Sequence, residues 1–244
     1  MTEKTERPAN VVVSWCQAQT VDAAFMNSML DMFVYDFATH RRIVDGGGKI
    51  ARYSTVNVSS GRNQIVHEFL TKTEADWLLM VDTDMVFEPD TLERLLAAAD
   101  PALVPIVGAL CFGTDNGTLF PTMYELAEEG NSVGFMRWKT FPLGKLVKVS
   151  ATGAAFLLMH RTALTAIGQK FDGPFPWFQE TALAGGPMGE DLTFCLRAGA
   201  CGIPIHVHTG VPVGHVKPTL LTLDKYMAQV ADEQSKEEPD AHPV

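Results

Sequence analysis

Asp82-Thr83-Asp84 sets two carboxylates two residues apart, directly after the unbroken apolar run Trp77-Leu78-Leu79-Met80-Val81. A run without polar alternation reads as a strand buried on both faces of a parallel sheet. The triplet then falls where the backbone leaves the sheet, at the edge where open α/β folds bind ligands. Positions i and i+2 can converge there, and two hard oxygens suit a magnesium or manganese ion. An ion so held bridges a diphosphate and neutralises it as it departs. The alternative is a solvated strand-to-helix turn in which the acids cap a helix.

Further along, Gly189-Glu190-Asp191 opens an amphipathic stretch. Acids in a helix's first turn are commonplace, but a carboxylate beside a reaction centre can also take the proton from an attacking hydroxyl. Val213-Gly214-His215 offers an imidazole that could complete a metal site already holding carboxylates. His206 and His208 are explained by strand alternation with Ile205 and Val207, without a ligand. Trp138, Trp177 and Phe178 have broad faces that could stack on a sugar or an acceptor side chain, with ordinary packing as the alternative.

The elements that must position these groups alternate short apolar runs with amphipathic stretches, the pattern of strands crossing over through helices. Val11-Val12-Val13-Ser14-Trp15 reads as a strand, with Thr20 as N-cap of a helix carrying Val21, Phe25, Met29, Met32 and Phe33. A second strand at 52–55 precedes a helix after Ser59-Ser60-Gly61. Glu88-Pro89-Asp90 reads as a helix start with proline first, and the next strand spans about 103–111. Residues 112–148 are irregular, and 152–159 form one more buried run. Gly168 fits the C-terminal stop of the helix that follows.

The 244 residues carry a formal net charge of −10, which argues against a nucleic-acid or anionic-membrane binder and for a small ligand held by local groups. Cys16, Cys111, Cys195 and Cys201 lack paired spacing, so reduced thiols in a cytoplasm are expected rather than zinc or disulfides. No apolar stretch reaches the ~20 residues of a membrane span. Residues 1–9 and 231–244 are polar and aperiodic and read as disordered ends flanking one domain at 10–230.

Taken in order, Arg62-Asn63 opening a helix, then ADWLLMVDTDMVFEPDTLERLL, ATGAAFLLMHRTALTAIG, GEDLTFCLRAGACGIPIHV and VGH resemble the GT-A glycosyltransferases. The likeness is greatest to the large inverting family, of bacterial and phage type, and covers about residues 10–217. It implies a single α/β domain of GT-A (Rossmann-like) fold, a mixed, mostly parallel twisted sheet with helices on both faces. It further implies sugar transfer from a UDP- or GDP-sugar to a glycan, protein or lipid-linked hydroxyl, with inversion and a divalent metal. By the same resemblance, Asp84 and His215 bind the metal with the diphosphate, and Asp82 contacts the ribose, or the metal through water. Arg62, Asn63 and Thr83 lie near the nucleotide, and Gly153 allows close backbone approach beside the donor sugar. Asp191 is the base, Glu190 assists in holding acceptor, and Trp177 and Trp138 contact it. The first strand, VVVSWCQAQT, departs from the family's proline- and asparagine-containing turn and leaves the base-binding residues unassigned.

Three other readings stay open. Asp82-Thr83-Asp84-Met85-Val86 also fits the strand motif of haloacid-dehalogenase-like phosphatases, with Asp82 as nucleophile, although about 80 residues precede it here and the later motifs have no match. A nucleotidyltransferase would carry a glycine-rich loop with Arg and Lys after the first strand. A catalytically inactive nucleotide-sugar-binding module is the third, against which DTD, GED and VGH stand together.

Overall fold

The computed structural model describes residues 9–54, 57–115, 117–129, 132–183 and 186–218, with 223, 226 and 227. The ends expected to be disordered lie outside the described residues, apart from residue 9.

In chain order, β1 (Val11–Gln17) leads to α1 (Ala23–Ala38) and α2 (Arg42–Gly46), then β2 (Lys49–Tyr53), α3 (Val58–Lys72), β3 (Trp77–Val81), β4 (Met85–Val86) and α4 (Thr91–Leu96). β5 (Ile106–Leu110) opens a β-rich stretch of β6 (Phe112–Asp115), β7 (Thr118–Pro121), β8 (Met123–Glu129), β9 (Ser132–Arg137), β10 (Leu146–Val149) and β11 (Ala151–Thr152). The chain returns through β12 (Phe156–His160), α5 (Arg161–Lys170), β13 (Thr181–Leu183), β14 (Gly186–Met188), α6 (Glu190–Ala200), β15 (Ile205–Pro212) and β16 (Gly214–His215).

The central sheet has seven strands in the order β10-β15-β5-β12-β3-β1-β2. β1 pairs parallel with both β2 and β3, and β5 parallel with β15, while β12 and β10 run against their neighbours. Five strands therefore share one direction. Period-two alternation splits each central strand between two cores. Leu78, Met80, Leu157 and Met159 face one cluster with Ile65, Val66 and Phe69 of α3, Leu164 and Ile167 of α5, and Phe194 of α6. Trp77, Leu79, Val81, Phe156 and Leu158 face the other, with Phe25, Met29 and Met32 of α1 and Leu92 and Leu95 of α4. That double burial is why β3 carries no polar residue, and it puts helices on both faces, as expected of the GT-A fold.

Several expected boundaries move for physical reasons. Asp22, not Thr20, caps α1, its Oδ1 accepting from Ala24 N at 2.8 Å, a contact worth about 1 kcal/mol. α3 begins at Val58 under the Asn57 cap, so Ser59 and Gly61 lie inside it. Gly61 has to lack a side chain there, since a Cβ would stand 2.6 Å from Cys16 Sγ. Pro89 sits in a turn closed by Thr91 N and Glu88 O, and α4 starts only at Thr91. Gly168 does not end its helix: α5 continues to Lys170, and the Trp177 ring packs on the glycine face, with Cζ2 2.8 Å from where a Cβ would be. The buried run at 152–159 is split at Gly153, with β11 joining β8 and β12 the main sheet.

Candidate active site

β3 ends at Val81, and the next three residues turn out of the sheet. Asp82 N donates to Ala155 O, while Thr83 O accepts from Asp22 N and Asp84 O from Val216 N. The triplet is thus fastened to β12, to the start of α1 and to the segment after β16. β4 and β16 form a small antiparallel ribbon that pairs His215 with Met85, and this register brings the imidazole beside Asp84. His215 Nε2 lies 3.0 Å from Asp84 Oδ2. Its other nitrogen, Nδ1, donates to Phe112 O at 2.9 Å.

Lys217 Nζ also reaches Asp84 Oδ2, at 3.0 Å, a partner that the sequence motifs did not single out. Burial alone would raise the Asp84 carboxyl, but the hydrogen bonds from His215 and Lys217 hold it at about 2. The hydrogen bond to Asp84 in turn pushes the His215 imidazole up to about 10.

Asp82 turns the other way. Its Oδ1 accepts from Arg62 Nη2 at 2.7 Å, and Arg62 Nη1 donates to Glu190 Oε1 at 2.5 Å. Arg62 is only 4% exposed. Burial by itself would depress the guanidinium, yet Asp82 and Glu190 raise it, so it stays charged. A buried cation with two carboxylates on it joins α3, the exit of β3 and the start of α6.

Asp191 follows on the first turn of α6, held by Leu192 N on its Oδ1 at 2.8 Å. Its Oδ2 faces Gly153, 3.6 Å from where a Cβ on that residue would lie. Burial raises the Asp191 carboxyl, and Arg62 and the Leu192 N–H oppose this only in part. Burial likewise raises Glu190, Arg62 again opposing.

A cavity of about 450 Å³ opens beside these groups, lined by Cys16, Thr20, Val21, Asp22, Val58, Asp82, Thr83 and Asp84. It lies at the carboxyl ends of β1 and β3, where open α/β sheets bind nucleotides. Burial pushes the Cys16 thiol up to about 11, so this cysteine is an inert wall of the cavity and not a nucleophile.

The expected site residues therefore divide. Asp82, Thr83, Asp84, His215, Arg62, Glu190, Asp191 and Gly153 converge on one end of the sheet. Asn63 does not face the cavity: its amide donates to Ser59 O and Phe178 O, both at 2.7 Å, and accepts from Trp177 N at 3.1 Å. With those bonds made, it holds the 177–178 backbone. Trp177 is 7% exposed with its indole N–H on Leu164 O at 2.7 Å, and Phe178 is fully buried and stacked on Phe194. Both pack into the core rather than into the cavity beside Asp82. Trp138 is half-buried after β9, its N–H on Met123 O, and Met123 pairs with Thr152, next to Gly153. Among the described residues no three His, Cys, Asp or Glu side chains cluster as a ready metal cage. The four cysteines are free thiols, and no described helix is long and apolar enough to cross a membrane.

The sequence profile of the family described as "Glycosyltransferase like family 2" matches residues 31–232. No curated protein matches the chain in sequence. Among solved structures, A197 from STIV is similar at a TM-score of 0.53 and 13% identity, covering 86% of each chain. GalNAc-T7, solved with UDP, GalNAc and Mn2+, is similar at a TM-score of 0.56 and 13% identity. That match covers 93% of this chain but 48% of the other, so the chain spans about half of that protein's length. At such identities the two structures speak to the fold.

Proposed function

The chain belongs to the glycosyltransferase like family 2, and from that premise we propose that it moves a sugar from a nucleoside diphosphate sugar to an acceptor hydroxyl with inversion, using Asp191 as base and a divalent metal at Asp84 and His215. The observation that carries this reading is one buried arginine holding an acid from each of two sets, Asp82 after β3 and Glu190 beside Asp191. Asp82 and Asp84 border the cavity, while Asp191 looks toward Gly153. Donor and acceptor halves of a transfer reaction need such a division.

The donor types present fit a metal once the ion displaces what Asp84 Oδ2 now holds, the Lys217 ammonium and the proton on His215 Nε2. The Nδ1–H of His215 is fixed on Phe112 O, so Nε2 is the nitrogen turned to Asp84, the orientation that a second-shell carbonyl gives to a ligating imidazole. One carboxylate and one imidazole make an incomplete set, which suits an ion completed by substrate phosphates and water, as magnesium and manganese often are. When bound, the ion would neutralise charge on the departing diphosphate. A UDP- or GDP-sugar is the proposed donor, and the manganese and UDP in the GalNAc-T7 structure are consistent with that choice.

The chain's own groups do the rest. Arg62 pins Asp82 at the cavity wall and holds Glu190 on α6, so Glu190 serves to position its neighbour. Asp191, partly buried and with a raised carboxyl, is suited to accept a proton from a hydroxyl as that oxygen attacks the anomeric carbon. Gly153 leaves room in front of it. A phosphatase using Asp82 as nucleophile is disfavoured, because that carboxylate is tied to a buried guanidinium. The decisive experiment follows donor hydrolysis or transfer with manganese and with a chelator. Retention of full turnover in Asp191→Asn, or in wild type with the chelator, would defeat the assignment.

A further inference from the structure

A surface helix of a globular protein carries an apolar stripe inward and a polar face outward. α1 departs from this. Its 16 residues include two charged side chains, Asp31 and Asp36, and Asp36 is buried, capping α2 through Arg42 N and Ile43 N. Phe25, Met29 and Met32 already pack inward. On the outer face, however, Met26 is 41%, Leu30 55%, Val34 69% and Phe37 63% exposed, with Phe33 half-buried beside them. Ala23, Met26, Leu30, Phe33 and Phe37 repeat at 3-4-3-4 spacing, the seam of two packed helices.

The stripe is matched to itself when reversed. About Leu30 as centre, Met26 falls opposite Val34, Phe33 opposite Asn27 and the small Ala23 opposite the large Phe37, so an antiparallel copy sets bulk against space at the two ends of the contact. Charge agrees with shape. Asp22 stands at the amino end of the helix. At the other end Arg41 lies over the Phe37 ring, its guanidinium carbon 5.3 Å from the centroid. Reversal brings each Arg41 toward the other copy's Asp22, and it aligns the two helix dipoles favourably. An anionic membrane surface is disfavoured as the occupant, since the basic residues at the end of the stripe already face acids, Arg41 toward Asp45 and Arg42 toward Glu93, and the chain carries a net charge of −10.

We infer that α1 is the core of a two-fold interface with a second copy of this chain, the helices antiparallel and crossing at Leu30. Such an isologous contact closes on itself and does not propagate. Asp22 N is also bonded to Thr83 O, so the paired helices would brace the turn that carries Asp82 and Asp84 from outside.

Light scattering on the full chain should give the mass of two copies, and Leu30→Glu, which faces like charge with like at the two-fold, the mass of one. Because Leu30 is exposed, the variant's thermal melt checks that the monomer remains folded. Register is tested by cysteine pairing under mild oxidation. Leu30→Cys alone should give a covalent dimer. Met26→Cys and Val34→Cys should each fail alone, their equivalents being several residues apart, and crosslink when mixed. A full chain that runs as one copy, its stripe covered by its own carboxy-terminal segment or by nothing, overturns the inference. So does a Leu30→Glu protein that stays dimeric, or equal crosslinking of Met26→Cys and Leu30→Cys.

Discussion

Nη1 of Arg62 lies 2.5 Å from Oε1 of Glu190, joining α3 to the residue that precedes Asp191. The guanidinium's other end grips Asp82 at 2.7 Å, so one buried side chain holds groups from both halves of the site. Arg62→Met removes the cation and leaves two carboxylates facing each other. Breaking a buried pair from one side costs roughly 3–5 kcal/mol, so the urea midpoint should fall steeply. Arg62→Lys should recover only part, because an ammonium cannot present the same fork to two partners. A loss below about 1 kcal/mol in the methionine variant would mean that the cation is dispensable to the fold.

Asp191→Asn separates catalysis from stability. As the proposed base, its loss should lower kcat by about 10²–10⁴ while leaving donor binding intact. Stability should move the other way. Burial raises the folded carboxyl above its ordinary 3.8, so between that value and the raised one the native state binds more protons than the unfolded state. Wild-type stability therefore declines as pH rises through this window. Asparagine lacks the decline, so the variant should melt higher than wild type at neutral pH. The gap should close as pH falls toward 3.8. Melting curves at several pH values, beside single-turnover rates, check both halves.

Asp84 and His215 should be linked through ligand. A nucleoside diphosphate with manganese should raise the melting temperature of wild type, since a ligand that binds only the native state stabilises it by mass action. His215→Ala and Asp84→Ala should each lose the part of the shift that depends on manganese, and the double variant should lose no more than either. Isothermal titration with and without a chelator gives the same comparison as affinities. Additive losses from the two single variants would place them in separate sites.

Much of this was legible in the chain because the rule at each point was local. WLLMV had to be buried on both faces, so Asp82 had to emerge at a sheet edge; GED had to open a helix; alternation from Ile205 put His206 and His208 on the face opposite Ile205 and Val207. What remained hidden depended on tertiary partners. Nothing around Asn63 reveals that Trp177 N and Phe178 O, more than 100 residues away, complete its hydrogen bonds. Lys217 follows VGH without any motif, and its reach to Asp84 becomes visible only once β16 is paired with β4. Asp22 and Asn57 are hard to single out as caps because Thr20 lies two residues before the one and Ser59 two residues after the other.

Gly168 and Trp177 offer the sharpest separation of packing from recognition. Gly168 looked like a helix stop, yet it lies within α5 under the Trp177 ring, whose indole N–H reaches Leu164 O four residues earlier. Gly168→Ala should gain helix propensity of about 1 kcal/mol, but its Cβ would meet Cζ2 at 2.8 Å. The ring is pinned by its hydrogen bond and cannot retreat, so overpacking at about 1–3 kcal/mol should win and the variant should be less stable than wild type. Trp177→Phe removes the clash and the hydrogen bond together. Alone it should destabilise, but combined with Gly168→Ala it should restore part of the loss, a coupling that a double-mutant cycle of denaturation energies reads directly. Through all of these changes the acceptor KM should stay constant, since the ring faces the core; a selective rise in KM for Trp177→Phe would return that residue to the acceptor site.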